Sequence, residues 1–242
     1  MSRVYLIRHG QAGTRGDYDS LSPLGHRQAR LLGEYFAAEG MSFVAAFSGT
    51  LARQRQTAEA VRTGYEAVGI PFPDITPDCG WNEFDLADVY RAFAPLLCAE
   101  DPQFRAEYEE MARQARAAAE RPEADVHRRW LPCDVKIVEA WFEGRHAYEG
   151  ESWKQFRERV AACRARLPDA RRDDAIAVFT SATPIGVWAG MTLDICDRRV
   201  MRLAGALHNT SCTVIRVHQD QVRLHSFNTI PHLREPELRT YR

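Results

Sequence analysis

An arginine, a histidine and a glycine at positions 8, 9 and 10 end an uninterrupted apolar run, Val4-Tyr5-Leu6-Ile7. Together they suit an anion. Arg8 carries a permanent charge and a planar fork of donors that grips two oxygens of a phosphate. His9 can act as a nucleophile or carry a proton. The guanidinium beside it disfavours the imidazolium form, which keeps a ring nitrogen open for attack. Gly10 lets the backbone turn tightly and a ligand approach with no Cβ in the way. An apolar run of this kind reads as a strand buried on both faces. In open α/β sheets, ligands bind at the carboxyl ends of such strands.

Two further stretches repeat the pattern. Residues 43–47 read as a second buried strand, followed by Ser48-Gly49-Thr50 and a helix from near Thr50 to Gly69, with Ala58, Val61, Tyr65 and Val68 at helical spacing. Arg53 falls in the first turn of that helix, close to the strand end. Arg55 points to a different face. Residues 175–180 read as a third buried strand running into Ser181-Ala182-Thr183-Pro184. Pro184 opens a helix whose unpaired amides and positive dipole end suit an oxyanion. Ser181 and Thr183 add hydroxyl donors. Cys79-Gly80-Trp81-Asn82-Glu83-Phe84-Asp85 places two carboxylates among aromatic rings. A carboxyl next to apolar rings holds its proton more tightly and can serve as an acid near neutral pH. Glu83 and Asp85 are both candidates.

The remaining elements frame these ends. Residues 11–19 are glycine-rich and polar, a loop over the first strand end. Ser22 and Pro23 cap and open a helix that stops at Gly40, with a stripe of Leu24, Leu32, Tyr35 and Phe36. Ser152 with Gln155 forms a capping box ahead of Phe156, Val160, Cys163 and Leu167. Residues 213–217 and 222–227 read as a hairpin at the sheet edge, and residues 234–242 as a polar tail. The segment from about 86 to 149 reads as a mostly helical cap inserted into one domain spanning 1–242. Its clearest helix starts at Asp101-Pro102, Arg121-Pro122-Glu123 breaks it, and a less regular part holds Trp130-Leu131-Pro132 and residues 135–138. His127, Arg128, Arg129, Lys136, Arg145 and His146 are candidates to meet an anionic substrate tail, against the plainer reading of a solvated charged surface.

Val-Tyr-Leu-Ile-Arg-His-Gly resembles the signature of the histidine phosphatase superfamily, the phosphoglycerate mutase-like fold. Leu21-Ser22-Pro23-Leu24-Gly25 with Gln28-Ala29, Ser48 to Ala58, and His225, Phe227-Asn228 and Pro231-His232-Leu233 are similar to later segments of that family. The resemblance implies a three-layer α/β/α sandwich with a largely parallel sheet and a phosphohistidine formed on His9. It implies Arg8 and Arg53 as phosphate clamps, Glu83 rather than Asp85 as the acid that protonates the leaving oxygen, and a loop that lines the phosphate site, with Gln11 and Thr14 as candidate contributors against the plainer reading of loop solvation. Ser48 would buttress His9. One position departs from the family. At the third strand end, where relatives carry Ser-His-Gly and the histidine is a phosphate ligand, this chain has Ala182. One lost charge-assisted hydrogen bond is worth roughly 1.5–3 kcal/mol, about ten- to a hundred-fold in rate or more if felt in the transition state. The expected activity is a weakened or specialised phosphatase acting on a small phosphorylated substrate, with no cofactor. The alternatives are a degenerate protein that binds phospho-ligands without turnover, or a phosphomutase, for which no product-retaining feature is visible.

Composition narrows the partners. The chain has 242 residues, 45% hydrophobic and 27% charged, with formal net charge −1. No global field recruits nucleic acid or an anionic membrane, and no apolar run reaches membrane-spanning length. The first strand begins almost at Met1, so the expectation is a cytoplasmic protein, with a homodimer as a possible assembly. Six scattered cysteines form no C-x-x-C pair and read as reduced thiols. His208, His218, His225 and His232 match no metal-ligand spacing.

Overall fold

The computed structural model describes residues 1–13, 19–119, 132–169, 171–218 and 221–241, with the side chains of 115–119 excepted. Thr14, the break at 121–123, His127, Arg128, Arg129, Trp130, Leu131 and the hairpin turn at 219–220 lie outside the described residues. The chain divides into two compact units, Met1–Glu83 with Arg159–Arg242, and Phe84–Glu158.

The larger unit is a three-layer α/β/α sandwich. Its elements are β1 (Ser2–Arg8), α1 (Pro23–Ala38), β2 (Ala45–Ser48), α2 (Ala52–Glu66), β3 (Ile75–Pro77), β4 (Ala175–Thr180), α7 (Ala182–Leu193), α8 (Asp197–Gly205), β5 (Cys212–His218) and β6 (Gln221–Thr229). The strands order β3-β2-β4-β1-β5-β6. β3, β2, β4 and β1 are parallel, while β5 and β6 add an antiparallel edge. Every residue of β4 is buried, as its continuous apolar run requires for a strand covered on both faces.

Side-chain alternation sends the two sets of each strand to different layers. Ile7, Ala177 and Phe179 pack with Ala29, Leu32, Phe36, Ala58, Val61 and Tyr65 of α1 and α2. On α7 the Trp188 indole donates to the Val160 carbonyl at 3.1 Å and lies 5.3 Å from the Trp81 ring. The Ser22 hydroxyl caps α1 by accepting from the Gly25 amide at 3.0 Å, with Pro23 behind it. Gly40 ends the helix at φ +65°, with its amide and that of Met41 returning to Ala37 and Phe36. That pairing is a Schellman stop.

The smaller unit is helical: α3 (Leu86–Glu100), α4 (Pro102–Ala119), α5 (Pro132–Phe142) and the start of α6 (Trp153–Ala162), in which the boundary falls. The Ser152–Gln155 capping box forms in both directions, at 2.8 and 3.3 Å. α5 corrects the irregular reading of residues 135–138. α3 contains Pro95, a residue that removes a helical hydrogen bond. Val89, Phe93, Ala94 and Leu97 nevertheless bury a stripe around it. Asp85 is the N-cap of this helix, accepting from the Asp88 amide at 2.9 Å. Lys136, Arg145 and His146 face carboxylates of their own unit, Glu107 at 3.6 Å, Glu143 at 2.7 Å and Glu100 at 3.6 Å. The six cysteines are unpaired. Among the described residues, no helix is long and apolar enough to cross a membrane, and no three His, Cys, Asp or Glu side chains are grouped to hold a metal.

Candidate active site

The register of the sheet brings the chemistry together. Arg8 is level with Thr180, and Ser48 is level with both Phe179 and Pro77. The next residues in each chain segment, His9, Ser181, Gly49 and Asp78, therefore emerge along one edge. Backbone bonds continue past the strands: the His9 amide donates to Thr180 O at 2.9 Å and the Gly49 amide to Phe179 O at 3.0 Å. Close contact of two turns holds the histidine loop. A Cβ on Gly10 would lie 2.5 Å from the Gly25 carbonyl oxygen, a distance that no side chain tolerates.

His9 is buried, with 3% of its surface exposed. Its Nδ1 lies 2.7 Å from the Gly10 carbonyl. A carbonyl only accepts, so Nδ1 carries the hydrogen and Nε2 keeps the lone pair. Burial, then the Arg53 charge, then the Arg8 charge hold the imidazole well below its ordinary value near 6.5, outweighing the Gly10 bond. Both guanidiniums thus act on this ring, and it stands neutral near pH 7 with its Nε2 unprotonated. Behind it, the His9 carbonyl accepts from Asn209 Nδ2 at 3.1 Å and from the Thr210 amide at 3.3 Å.

Both guanidiniums are held by hydrogen bonds. Arg8 Nη1 donates to the Leu207 carbonyl. Arg53 Nη1 donates to Asp19 Oδ1 at 2.7 Å. Both are buried, 6% and 7% exposed. Thr57, one helical turn after Arg53, accepts from the Gly10 amide at 3.0 Å and donates to the Arg53 carbonyl at 2.7 Å, joining α2 to the histidine loop.

Glu83 follows a 3₁₀ turn at Cys79–Trp81 that four side chains pin down. Thr180 Oγ1 and Gln54 Nε2 donate to the Trp81 carbonyl at 2.6 and 3.1 Å. Arg159 Nη1 donates to the carbonyls of Gly80 at 2.8 Å, Cys79 at 3.1 Å and Asn82 at 3.2 Å. Asp78 accepts from the Gly80 amide at 2.8 Å and pairs with Arg166. The turn delivers Glu83 to the start of α7, where its Oε2 accepts from the Thr183 amide at 3.1 Å.

The remaining candidates fall out unevenly. Ser181 is the N-cap residue of α7, and its hydroxyl accepts from Gln54 Nε2 at 2.9 Å. α7 starts at Ala182, two residues before the proline, so Thr183 is its second residue and Pro184 its third, and the Thr183 amide is the one that Glu83 takes. Gln11 is buried, but its Oε1 accepts from the Ser22 hydroxyl at 2.8 Å, which leaves only its NH₂ group for an anion. Ser48 does not buttress His9; its hydroxyl is buried with no hydrogen-bond partner among the described residues. Asp19, Gln54, Thr57, Arg159 and Asn209 were not assigned from sequence. Only Gln54 and Thr57 had a local signal, standing beside Arg53 and one turn beyond it.

The family model described as Histidine phosphatase superfamily (branch 1) matches residues 4–140 and 132–230. Over 93 residues, 34% of this chain, the sequence is 30% identical to the mitochondrial serine/threonine-protein phosphatase Pgam5 of Caenorhabditis elegans. The match spans 33% of that protein, about a third of its length. Among solved structures, Bacillus stearothermophilus YhfR superposes with TM-score 0.64 at 17% identity, covering 96% of this chain and 100% of that one. A mycobacterial glucosyl-3-phosphoglycerate phosphatase in complex with inorganic phosphate gives 0.60 at 19% identity, covering 95% and 98%. The phosphoserine phosphatase of Entamoeba histolytica with 3-phosphoglyceric acid gives 0.59 at 18%, covering 96% and 100%. At these identities the structures share the fold.

Proposed function

Because this chain belongs to the histidine phosphatase superfamily, branch 1, a phosphoglycerate mutase-like class of enzymes, we propose that it hydrolyses a small phosphomonoester through a phosphohistidine on His9. The observation that carries the reading is a buried neutral imidazole with Nδ1 held by Gly10 and two guanidinium charges acting on it. Nε2 attacks phosphorus while the bond from phosphorus to the ester oxygen breaks. Glu83 gives that oxygen a proton. Glu83 Oε2 is taken by the Thr183 amide, so the proton is carried on Oε1. Water then attacks phosphorus while the bond from phosphorus to Nε2 breaks, releasing orthophosphate and restoring His9, with Glu83 taking a proton from the water. Arg8 and Arg53 hold the equatorial oxygens, where charge changes most in the transition state.

The test uses an aryl phosphate and the full chain. Turnover is expected together with an acid-labile phosphoenzyme, and His9→Ala is expected to remove both. Turnover that survives His9→Ala sinks the reading.

A second reading, a protein that binds a phospho-ligand without turnover, draws on Ala182. The first residue of α7 is a methyl side chain, and the next amide is taken by Glu83. Tight phosphate-ester binding with no turnover, unrecovered by Ala182→His, would favour it.

A further inference from the structure

We infer that Asp19 is the positioning residue of the anion site: its carboxylate brackets Arg53 to the start of α2 and holds the guanidinium in place for the phosphate. The inference rests on the phosphatase reading of Arg53.

Three observations carry it. Asp19 Oδ1 accepts from Arg53 Nη1 at 2.7 Å, and Oδ2 accepts from the Ala52 amide at 3.1 Å. One carboxylate thus spans side chain and backbone of adjacent residues. α2 needs the second bond, because its N-cap residue is Leu51, which offers no side-chain acceptor. The position of Asp19 is itself fixed. Gly13 donates to the Ser20 carbonyl at 2.7 Å, Ser22 donates to the Gln11 carbonyl at 2.9 Å, and Ala12 bridges Leu21. These bonds zip the two ends of the loop that follows Gly10, and Asp19 sits at the base of that zip. Asp19 therefore ties the start of α2 to the bonded stretch at residues 11–13 and 20–22.

A guanidinium on four rotatable bonds loses much freedom when it grips an oxyanion in one geometry. Spending one of its five donors on a fixed carboxylate removes that freedom before the ligand arrives. Arg8 has the equivalent tie to a neutral acceptor, the Leu207 carbonyl. The Arg53 tie is charged and comes from a loop, so the cost of losing it falls on ligand binding.

The test is a double-mutant cycle on the full chain: Asp19→Ala, Arg53→Met and the pair, read by orthophosphate titration, aryl phosphate kinetics and Tm. Asp19→Ala is expected to weaken orthophosphate and raise KM about tenfold, the size of one charge-assisted hydrogen bond, with a smaller change in kcat. In the Arg53→Met background it should cost nothing more. Asp19→Asn should fall between, since one amide oxygen cannot serve two donors, and it stands in if Asp19→Ala does not fold. Tighter orthophosphate binding by either Asp19 variant would overturn the inference, showing a carboxylate that competes with the ligand. So would a full-sized loss that persists with Arg53→Met, showing a cap on α2 and nothing more. Orthophosphate binding unchanged by Arg53→Met would instead overturn the phosphatase reading.

Discussion

As the proposed general acid, Glu83 carries the sharpest demand at the scale of one residue, because such a group matters in proportion to how badly the leaving group needs a proton. Its Oε2 is committed to the Thr183 amide, so removal of the remaining oxygen's proton should show selectively. Glu83→Gln is expected to lower kcat on an alkyl phosphate by about 10²–10⁴-fold. On p-nitrophenyl phosphate, whose phenolate leaves unaided, the loss should be much smaller. Equal losses on the two substrates would place the proton elsewhere. Asp85 offers no rescue, since its carboxylate caps α3. The pair was ambiguous in the sequence because both acids flank Phe84. Only the helix that starts at Leu86 distinguishes them.

At the scale of elements, the site depends on how closely α1 and α2 approach, since α2 carries Arg53 and α1 begins against Gly10. Gly33 makes that approach possible. A Cβ there would lie 2.2 Å from the Val61 carbonyl oxygen. Replacing glycine by alanine inside a helix gains about 1 kcal/mol of propensity, while overpacking costs typically about 1–3 kcal/mol. The obstacle is backbone oxygen and cannot swing aside, so the cost should win. Gly33→Ala is expected to lower Tm by several degrees in a calorimetric scan. An unchanged or raised Tm would mean that the helices slide apart freely. Much at this scale was legible beforehand. The all-apolar run of β4 and the Ser22-Pro23 start of α1 each carry a local cause. The α7 start was misplaced by two residues because Pro184 is compatible with the first turn generally, and only the position of Ser181 as N-cap fixes the register.

At the scale of the whole molecule, buried imidazoles link stability to pH. His232 is held at about 3 by burial, and His9 well below 6.5 by burial and the two arginines. The Thr210 hydroxyl donates to the Asn209 carbonyl at 2.7 Å, so it accepts from His232 Nε2 at 2.8 Å and the ring is the neutral tautomer. Both groups are depressed in the folded state, so below about 6.5 the unfolded chain binds the extra protons. Their contribution is complete above 6.5 and is lost as pH falls, at about 1.4 kcal/mol per unit for each ring. The urea midpoint should therefore decline steadily from pH 7 to pH 4.5, and His232→Asn should flatten the decline. A midpoint that rises over that range would contradict the buried neutral state.

The sequence by itself determined the strand ends and the residue types on them: Arg8-His9-Gly10, Arg53 in a first helical turn, Glu83 among rings. These are local facts, written in apolar runs that stop and in capping residues, and a chain shows them without folding. Only the tertiary structure decided which donor meets which acceptor. It turned Gln11 toward Ser22, left Ser48 without a partner among the described residues, gave the Thr183 amide to Glu83 and put Asp19 on Arg53. Those pairings span 11 to 100 positions along the chain. They follow from strand register and helix approach, quantities set by how whole surfaces pack, and no short window of sequence contains them.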